Sequence, residues 1–163
     1  MKKILFSFII TAFSLTVNAQ TQAPVPGTAM PKAVFYKVNG SSFSTDQIPS
    51  GKQSLIMLFD ATCEHCQKVA KELSKRNKEL SNINFYMVTM DETRSINYFM
   101  DHFGVGLKGM KNLSILQDKD RVFIPLFHPK QYPSLYLYGR DKKLTYYSSN
   151  EKDVTKFFKL INP

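Results

Sequence analysis

Ser54-Leu-Ile-Met-Leu-Phe59, followed by Asp60-Ala61-Thr62 and then Cys63-Glu64-His65-Cys66, is the stretch that decides the fold. The apolar run shows no polar–apolar alternation, which is typical of a central strand buried on both faces. From about Cys63 to Leu80, apolar or small residues recur every three or four positions, which predicts a helix. The cysteine pair therefore falls where a buried strand gives way to a helix.

The rest of the chain predicts a small mixed sheet. A second apolar run at 84–90 completes a strand–helix–strand unit, whose strands pair in parallel. Two short strands are predicted at 34–38 and 42–44, joined by an Asn39-Gly40 turn. Three more strands are predicted at 113–116, 134–138 and 143–147. Helices are predicted at 94–102, with Asp91 or Thr93 as N-cap, and at 151–161, and a short helix or irregular turn is predicted at 121–128. The predicted class is α/β, with helices on both faces of the sheet and an N-terminal β-hairpin extension.

The N-terminus has the pattern of a secretory signal. Met1-Lys2-Lys3 precedes an apolar stretch that ends in small residues near Ala19. The stretch is shorter than the roughly 18 to 20 residues of a membrane-spanning helix, although an uncleaved anchor stays open. We expect a signal peptide at 1–19, a Pro- and Gly-containing linker at 20–32, and one domain at 33–163. The expected location is periplasmic or secreted.

The charge of the chain is +9, and its cations do not form a nucleic-acid motif. Several of them lie on the helix predicted from Cys63, where they form its solvated face: Lys68, Lys71, Lys75, Arg76 and Lys78. No nucleic-acid partner is expected. A membrane partner is expected only if the N-terminal segment stays uncleaved.

The chain has only two cysteines, Cys63 and Cys66, and their spacing indicates chemistry rather than structure. A disulfide between them would close a very small loop and add little stability through chain entropy. At the start of a helix, unpaired N–H groups and the helix dipole favour a thiolate. We therefore expect Cys63 to be the exposed nucleophile and Cys66 the shielded resolving thiol.

Metal binding is the main alternative from the residues alone. A Cys-x-x-Cys pair supplies two ligands, and zinc or copper needs others. His65, His102 and His128 are available, but no second Cys-x-x-Cys and no paired histidine spacing accompanies them. No cofactor or metal is expected, and a redox-inert metal-binding or metal-delivery module remains the alternative.

Cys63–Cys66 after a strand, together with Tyr132-Pro133 before the strand at 134–138, resembles the thioredoxin superfamily. The resemblance implies a thioredoxin-like fold with a cis-proline at Pro133, packed against the two sulfurs. It also implies that Tyr132 and Pro133 form the edge on which an extended substrate docks. The N-terminal extension, with Val38–Ser44 and Gly51-Lys52, narrows the resemblance to the exported, TlpA-like branch.

Some positions depart from the patterns of related proteins. Thr62 stands where the superfamily often has tryptophan, and Met57 where thioredoxin has a buried acid. Thiol peroxidases of the related fold have threonine three residues before the cysteine, where this chain has Asp60, so a peroxidase is not favoured. His65 resembles strongly oxidising enzymes, because an imidazole can stabilise the Cys63 thiolate. Glu64 should act in the opposite sense, so the direction of electron flow is left unassigned.

The sequence thus predicts an exported thiol–disulfide oxidoreductase. Its catalytic residues are Cys63, Cys66 and His65, its redox-active disulfide joins the two cysteines, and its substrate-binding residues are Tyr132 and Pro133. The expected partners are exported protein thiols or disulfides and a redox partner protein.

Gly104-x-Gly106-x-x-Gly109 matches a dinucleotide-binding pattern in its letters only. It follows a predicted helix instead of a strand, and the pattern works only between a strand and a helix. We expect a flexible loop here.

Overall fold

The computed structural model describes residues 23–162, so the predicted signal peptide at 1–19 lies outside the described residues. The strands are β1 (Val34–Lys37), β2 (Ser42–Ser44), β3 (Ser54–Leu58), β4 (Asn84–Thr89), β5 (Leu113–Gln117), β6 (Ser134–Tyr138) and β7 (Leu144–Ser148). The α-helices are α1 (Glu64–Lys75), α2 (Thr93–His102), α3 (Phe123–Phe127) and α4 (Val154–Ile161). Among residues 23–162, no helix has the length and apolar character needed to cross a membrane.

One seven-stranded sheet has the order β2-β1-β5-β4-β3-β6-β7. β3, β4 and β5 run parallel to each other, and the remaining pairs are antiparallel. β3 lies between β4 and β6, and all five of its residues are buried, as the unbroken apolar run predicts. The predicted strand–helix–strand unit around the cysteines is confirmed.

The two faces of the sheet carry separate apolar cores. On one face, α1, α2 and α4 pack on alternate residues of the central strands, including Leu55, Met57 and Phe59. On the other face, α3 and the β1–β2 hairpin pack on the residues that alternate with these, including Ile56 and Leu58. The structure confirms a mixed α/β sheet with helices on both faces.

The helix predicted from about Cys63 to Leu80 ends earlier than the pattern indicated. α1 ends at Lys75, Arg76 leaves helical geometry with φ −110° and ψ 25°, and residues 77–80 form a 3₁₀ turn. The Asn77 side chain donates to the carbonyl of Gly106 at 2.6 Å, which fixes the new direction of the chain. The turn still buries Leu80, so the apolar pattern continues past the end of the helix.

The loop expected around Gly106 contains a 3₁₀ turn at Val105–Leu107, in which Leu107 is buried. A Cβ on Gly106 would lie 2.4 Å from the backbone oxygen of Ser74 on α1. Only glycine allows so close an approach of the two backbones. Packing therefore explains Gly106, whereas Gly109 has a positive φ of 80° and open space around it.

The described end of the predicted linker follows the edge of the sheet. Gly27 donates to the carbonyl of Leu144 at 2.7 Å, and Met30 donates to that of Lys142 at 2.9 Å. Leu144 in turn donates to the carbonyl of Thr28 at 2.8 Å. These bonds tie the segment to the β6–β7 hairpin.

Candidate functional site

Cys63 and Cys66 lie at the start of α1, where the sequence places them. Cys63 is the N-cap residue, with extended backbone angles of φ −74° and ψ 115°, and it is half-buried. Cys66 lies in the first turn and is buried. Both are free thiols in this structure. Cys63 is thus the more accessible sulfur, next to the unpaired N–H groups of the helix start.

The two thiols have different electrostatic surroundings. Burial is the largest effect on Cys66 and raises the pKa of its thiol. A backbone hydrogen bond from Asp60 acts in the opposite direction, whereas the neighbouring Cys63 and the charge of Asp60 raise the pKa further. Cys66 therefore keeps its proton at neutral pH.

Tyr132, the residue before Pro133, lies against Cys63. The peptide bond between Tyr132 and Pro133 is cis, as the resemblance implies. The Cys63 thiol donates to the backbone oxygen of Tyr132 at 3.9 Å, and the Tyr132 ring packs against both cores. The structure therefore brings Tyr132, 69 positions away in the sequence, to the more accessible of the two sulfurs.

Three aspartates follow the parallel strands β3, β4 and β5: Asp60, Asp91 and Asp118. The carboxyl ends of parallel strands meet at one edge of a sheet, which is where Cys63 also lies. The pKa of the Tyr132 phenol is raised, mainly by burial and then by the negative charges of Asp60 and Asp91. These two aspartates therefore lie near Tyr132. These acids were not among the predicted site residues.

Asp91 fixes the loop that leads to Cys63. Its Oδ2 accepts a hydrogen bond from the backbone N–H of Ala61 at 2.7 Å and another from the Thr89 hydroxyl at 2.7 Å. The suggestion that Asp91 or Thr93 caps α2 is wrong, because Glu92 is the N-cap residue and makes no side-chain bond there. The carboxylate of Asp91 points back to the loop before Cys63 instead.

The other two aspartates also bind backbone groups. Asp60 Oδ1 accepts from the N–H of Thr62 at 2.7 Å and from its hydroxyl at 2.6 Å. Asp118 accepts from the N–H groups of Val122 and Phe123, each at 2.9 Å, and thus holds the start of α3. Asp60 occupies the position at which related peroxidases have threonine, and it organises the turn before Cys63.

His65 contacts an acid from the distant C-terminal segment. Its Nδ1 lies 2.8 Å from Oε2 of Glu151, in the 3₁₀ turn that precedes α4. The hydrogen bond with His65 is the main reason that the pKa of Glu151 is lowered. The side chain of His65 is 60% exposed and that of Glu151 only 22%, so the acid is the anchored partner. Lys68 lies 3.9 Å from the other oxygen of Glu151.

The three histidines are not gathered around the cysteines. His102 Nδ1 pairs with the backbone oxygen of Tyr98 at 2.8 Å, and His128 ends α3 with a left-handed backbone. Within residues 23–162, no group of three or more His, Cys, Asp or Glu side chains is arranged to hold a metal ion.

An open groove of about 550 Å³ lies beside the cysteine pair, between the starts of α1 and α2. It is lined by Ala61, Thr62, Gln67, Glu92, Arg94, Ser95 and Tyr98. A larger hollow of about 700 Å³, between α2 and the start of β5, includes neither cysteine in its lining. The lining of the smaller groove also lacks both cysteines, but it includes Ala61 and Thr62, the two residues that precede Cys63.

The sheet, the Cys-x-x-Cys pair at a helix start and the cis-proline beside it define a protein of the thioredoxin-like fold. Residues 23–147 match the AhpC/TSA family, and the chain belongs to this family. No curated protein matches the chain.

Solved structures with the same fold are distant in sequence. The thioredoxin domain of a thiol-disulfide oxidoreductase from Bacteroides vulgatus is 18% identical, with a TM-score of 0.67 over 86% of this chain and 100% of that one. A secreted disulfide oxidoreductase from Mycobacterium tuberculosis is 17% identical, with a TM-score of 0.63 over 78% and 95%. A thiol peroxidase from Chromobacterium violaceum is 15% identical, with a TM-score of 0.66 over 86% and 87%. The likeness confirms the thioredoxin-like fold.

Proposed function

We propose that the protein is a thiol–disulfide oxidoreductase that exchanges disulfides with protein substrates through Cys63 and Cys66. The observation that carries the proposal is the asymmetry of the pair, with a half-buried thiol at the helix start and a buried thiol one turn on. Such an asymmetry separates the attacking sulfur from the resolving sulfur.

The proposed exchange proceeds in two steps. The Cys63 thiolate attacks one sulfur of a substrate disulfide, forming a Cys63–substrate disulfide and releasing the other substrate sulfur as a thiolate. Cys66 then loses its proton and attacks the Cys63 sulfur, which releases the second substrate thiolate. Two electrons pass from the dithiol to the substrate, and the protein ends with a Cys63–Cys66 disulfide. The reverse sequence would oxidise a substrate dithiol.

The residues around Cys63 suggest how a substrate docks. The backbone oxygen of Tyr132, which precedes cis-Pro133, accepts from the Cys63 thiol, and a groove lined by Thr62 and Tyr98 lies next to the loop before Cys63. We propose that an extended segment of the substrate runs along this edge. His65 is proposed to tune the Cys63 thiolate. The redox partner is proposed to be a second protein, and the location to be outside the cytoplasm, as the N-terminal pattern suggests.

The reduction potential of the Cys63–Cys66 pair tests the proposal. The protein of residues 20–163 is equilibrated in glutathione or dithiothreitol buffers, and free thiols are counted by alkylation and mass spectrometry. A reversible two-electron transition supports the function; a potential near −120 mV would indicate an oxidant and one near or below about −270 mV a reductase. Cys63→Ser should abolish turnover of protein disulfides, and residual turnover in this variant would contradict the proposal.

A thiol peroxidase is the second candidate, because the chain belongs to the AhpC/TSA family. Asp60 stands against it, since a carboxylate bound to Thr62 replaces the hydroxyl expected three residues before Cys63. Consumption of hydrogen peroxide with a thiol reductant distinguishes the two candidates. If neither reaction occurs, measurement of bound metal tests the metal-binding alternative.

A further inference from the structure

We propose that Glu151 is a positioning residue that fixes the imidazole of His65 and, through it, sets the reduction potential of the Cys63–Cys66 pair. The proposal rests on the proposed function and names a determinant of the same site. It assigns a role to a residue that lies 86 positions from His65 in the sequence.

The contact between His65 and Glu151 has the geometry of a charge-assisted hydrogen bond. The distance of 2.8 Å between Nδ1 and Oε2 lies in the range of such bonds, and Glu151 also faces Lys68 at 3.9 Å. The same contact lowers the pKa of Glu151, so the carboxylate stays ionised when it holds the ring. Without this bond, a side chain that is 60% exposed would sample several rotamers.

The turn that carries Glu151 is itself held in place. Asn150 accepts from the N–H of Lys152 at 3.0 Å, and Asp153 accepts from the Ser148 hydroxyl at 2.8 Å and pairs with Lys156 at 2.8 Å. The turn is thus held by β7 and α4, and from it the Glu151 carboxylate reaches His65 and Lys68 on α1. An anchor on separate elements can hold the imidazole in one orientation beside the first turn of α1.

The position of the imidazole matters because a cation near the Cys63 thiolate stabilises the reduced protein. Stabilisation of the reduced form makes the pair more oxidising. Loss of Glu151 has two opposing effects: it releases the imidazole, and it removes a negative charge. The first effect requires His65, whereas the second does not, so a double-mutant cycle separates them.

The experiment compares Glu151→Gln in the native background and in a His65→Gln background. Each protein is equilibrated in glutathione buffers at pH 7, and circular dichroism confirms the fold. In the native background, Glu151→Gln should change the dithiol–disulfide equilibrium constant about two- to fivefold toward a lower potential, as a partly exposed ion pair allows. Fivefold corresponds to about 20 mV for a two-electron couple. In the His65→Gln background, the potential should stay unchanged or rise.

Glu72→Gln is the matched control, because Glu72 lies on α1, the helix that carries His65, and pairs with Lys75 at 3.9 Å. It removes the same charge and should leave the potential unchanged. Equal shifts from Glu151→Gln in both backgrounds, or a rise in the native background, would overturn the proposal. If the native protein shows no reversible dithiol–disulfide transition at all, the result contradicts the proposed oxidoreductase function itself, and with it the role of Glu151.

Discussion

Replacement of Asp91 by alanine should loosen the loop that positions Cys63. The carboxylate is the acceptor for the N–H of Ala61, a residue that is only 5% exposed, and for the hydroxyl of Thr89, which is fully buried. A hydrogen bond to a charged group contributes about 1.5 to 3 kcal/mol, and a buried donor left without an acceptor costs about 1 to 3 kcal/mol. The two ranges describe the same lost hydrogen bonds, once from the acceptor and once from the donor, so they are not added. We expect Asp91→Ala to lower the free energy of unfolding by about 2 to 4 kcal/mol.

Two further variants probe these contacts. Thr89→Val removes the hydroxyl that donates to the carboxylate and that also accepts from the Asp91 N–H at 3.1 Å, but it keeps the carboxylate on Ala61, so it should cost about 1 to 2 kcal/mol. Asp91→Asn keeps an amide oxygen as acceptor and should cost less than Asp91→Ala. The expected order of destabilisation is therefore alanine at 91, then asparagine at 91 and valine at 89.

Urea unfolding followed by far-UV circular dichroism measures these differences, because the chain has no tryptophan for fluorescence. The dependence on urea should keep its slope, since the same surface is exposed on unfolding. A loss below about 0.5 kcal/mol for Asp91→Ala, a size typical of an unremarkable surface substitution, would refute the positioning role of Asp91.

Three further results are expected. Because burial raises the pKa of Cys66, the reduced protein should take one iodoacetamide adduct rapidly at pH 8, on Cys63, and a second only on unfolding; equal rates by peptide mass spectrometry would contradict this. Gly106→Ala should cost about 1 to 3 kcal/mol, because its Cβ meets a backbone oxygen, and Gly104→Ala less, because a flexible methionine side chain faces it. Hydrogen bonds from a lysine and a serine lower the pKa of Asp153, so its contribution to stability should be complete at pH 7 and lost as the pH falls through that lowered value. The difference in unfolding midpoint between the native protein and Asp153→Asn should therefore vanish in strong acid, and a constant difference would argue against the ion pair.

The parts of the fold that the sequence predicted are those with a local pattern. The unbroken apolar run of β3 is buried on both faces, and the cysteine spacing places Cys63 at the start of α1. The cis bond before Pro133 came from the resemblance to a known superfamily, and the structure has it. Local periodicity and short motifs carried these predictions because each depends on neighbouring residues.

The end of α1 shows why a periodic pattern can mislead. Arg76 bonds to Glu79 through two nitrogens, at 2.7 and 2.8 Å, and its guanidinium lies 3.7 Å from the ring centre of Phe158. These contacts favour a turn at 77–80, yet Leu80 remains in the core. Apolar residues stay buried at the same spacing from α1 into the 3₁₀ turn, although the hydrogen-bonding pattern changes between them. Hydrophobic periodicity therefore could not locate the end of α1.

The residues that complete the site depend on contacts between distant segments. Asp91 lies 30 positions from Ala61, and Glu151 lies 86 positions from His65. In the sequence, Asp91 resembled a helix cap and Glu151 the start of a helix, because both are acids near predicted helix starts. The parallel pairing of β3 and β4 was predicted, but only the structure shows that Asp91 bonds to Ala61 and that the turn before α4 reaches α1.

The position of Asp60 and Asp91 near the cysteines bears on the protonation of the two thiols. The chain as a whole is basic, at +9, yet Asp60 and Asp91 lie at the edge where the cysteines are. The charge of Asp60 adds to the effect of burial on Cys66, so a second thiolate in the pair is disfavoured. Burial is the main cause, and the backbone hydrogen bond from Asp60 acts against it. Positioning of the loop before Cys63 and protonation of Cys66 therefore have different main causes: hydrogen bonds of Asp60 and Asp91 in the first case, and burial of the thiol in the second.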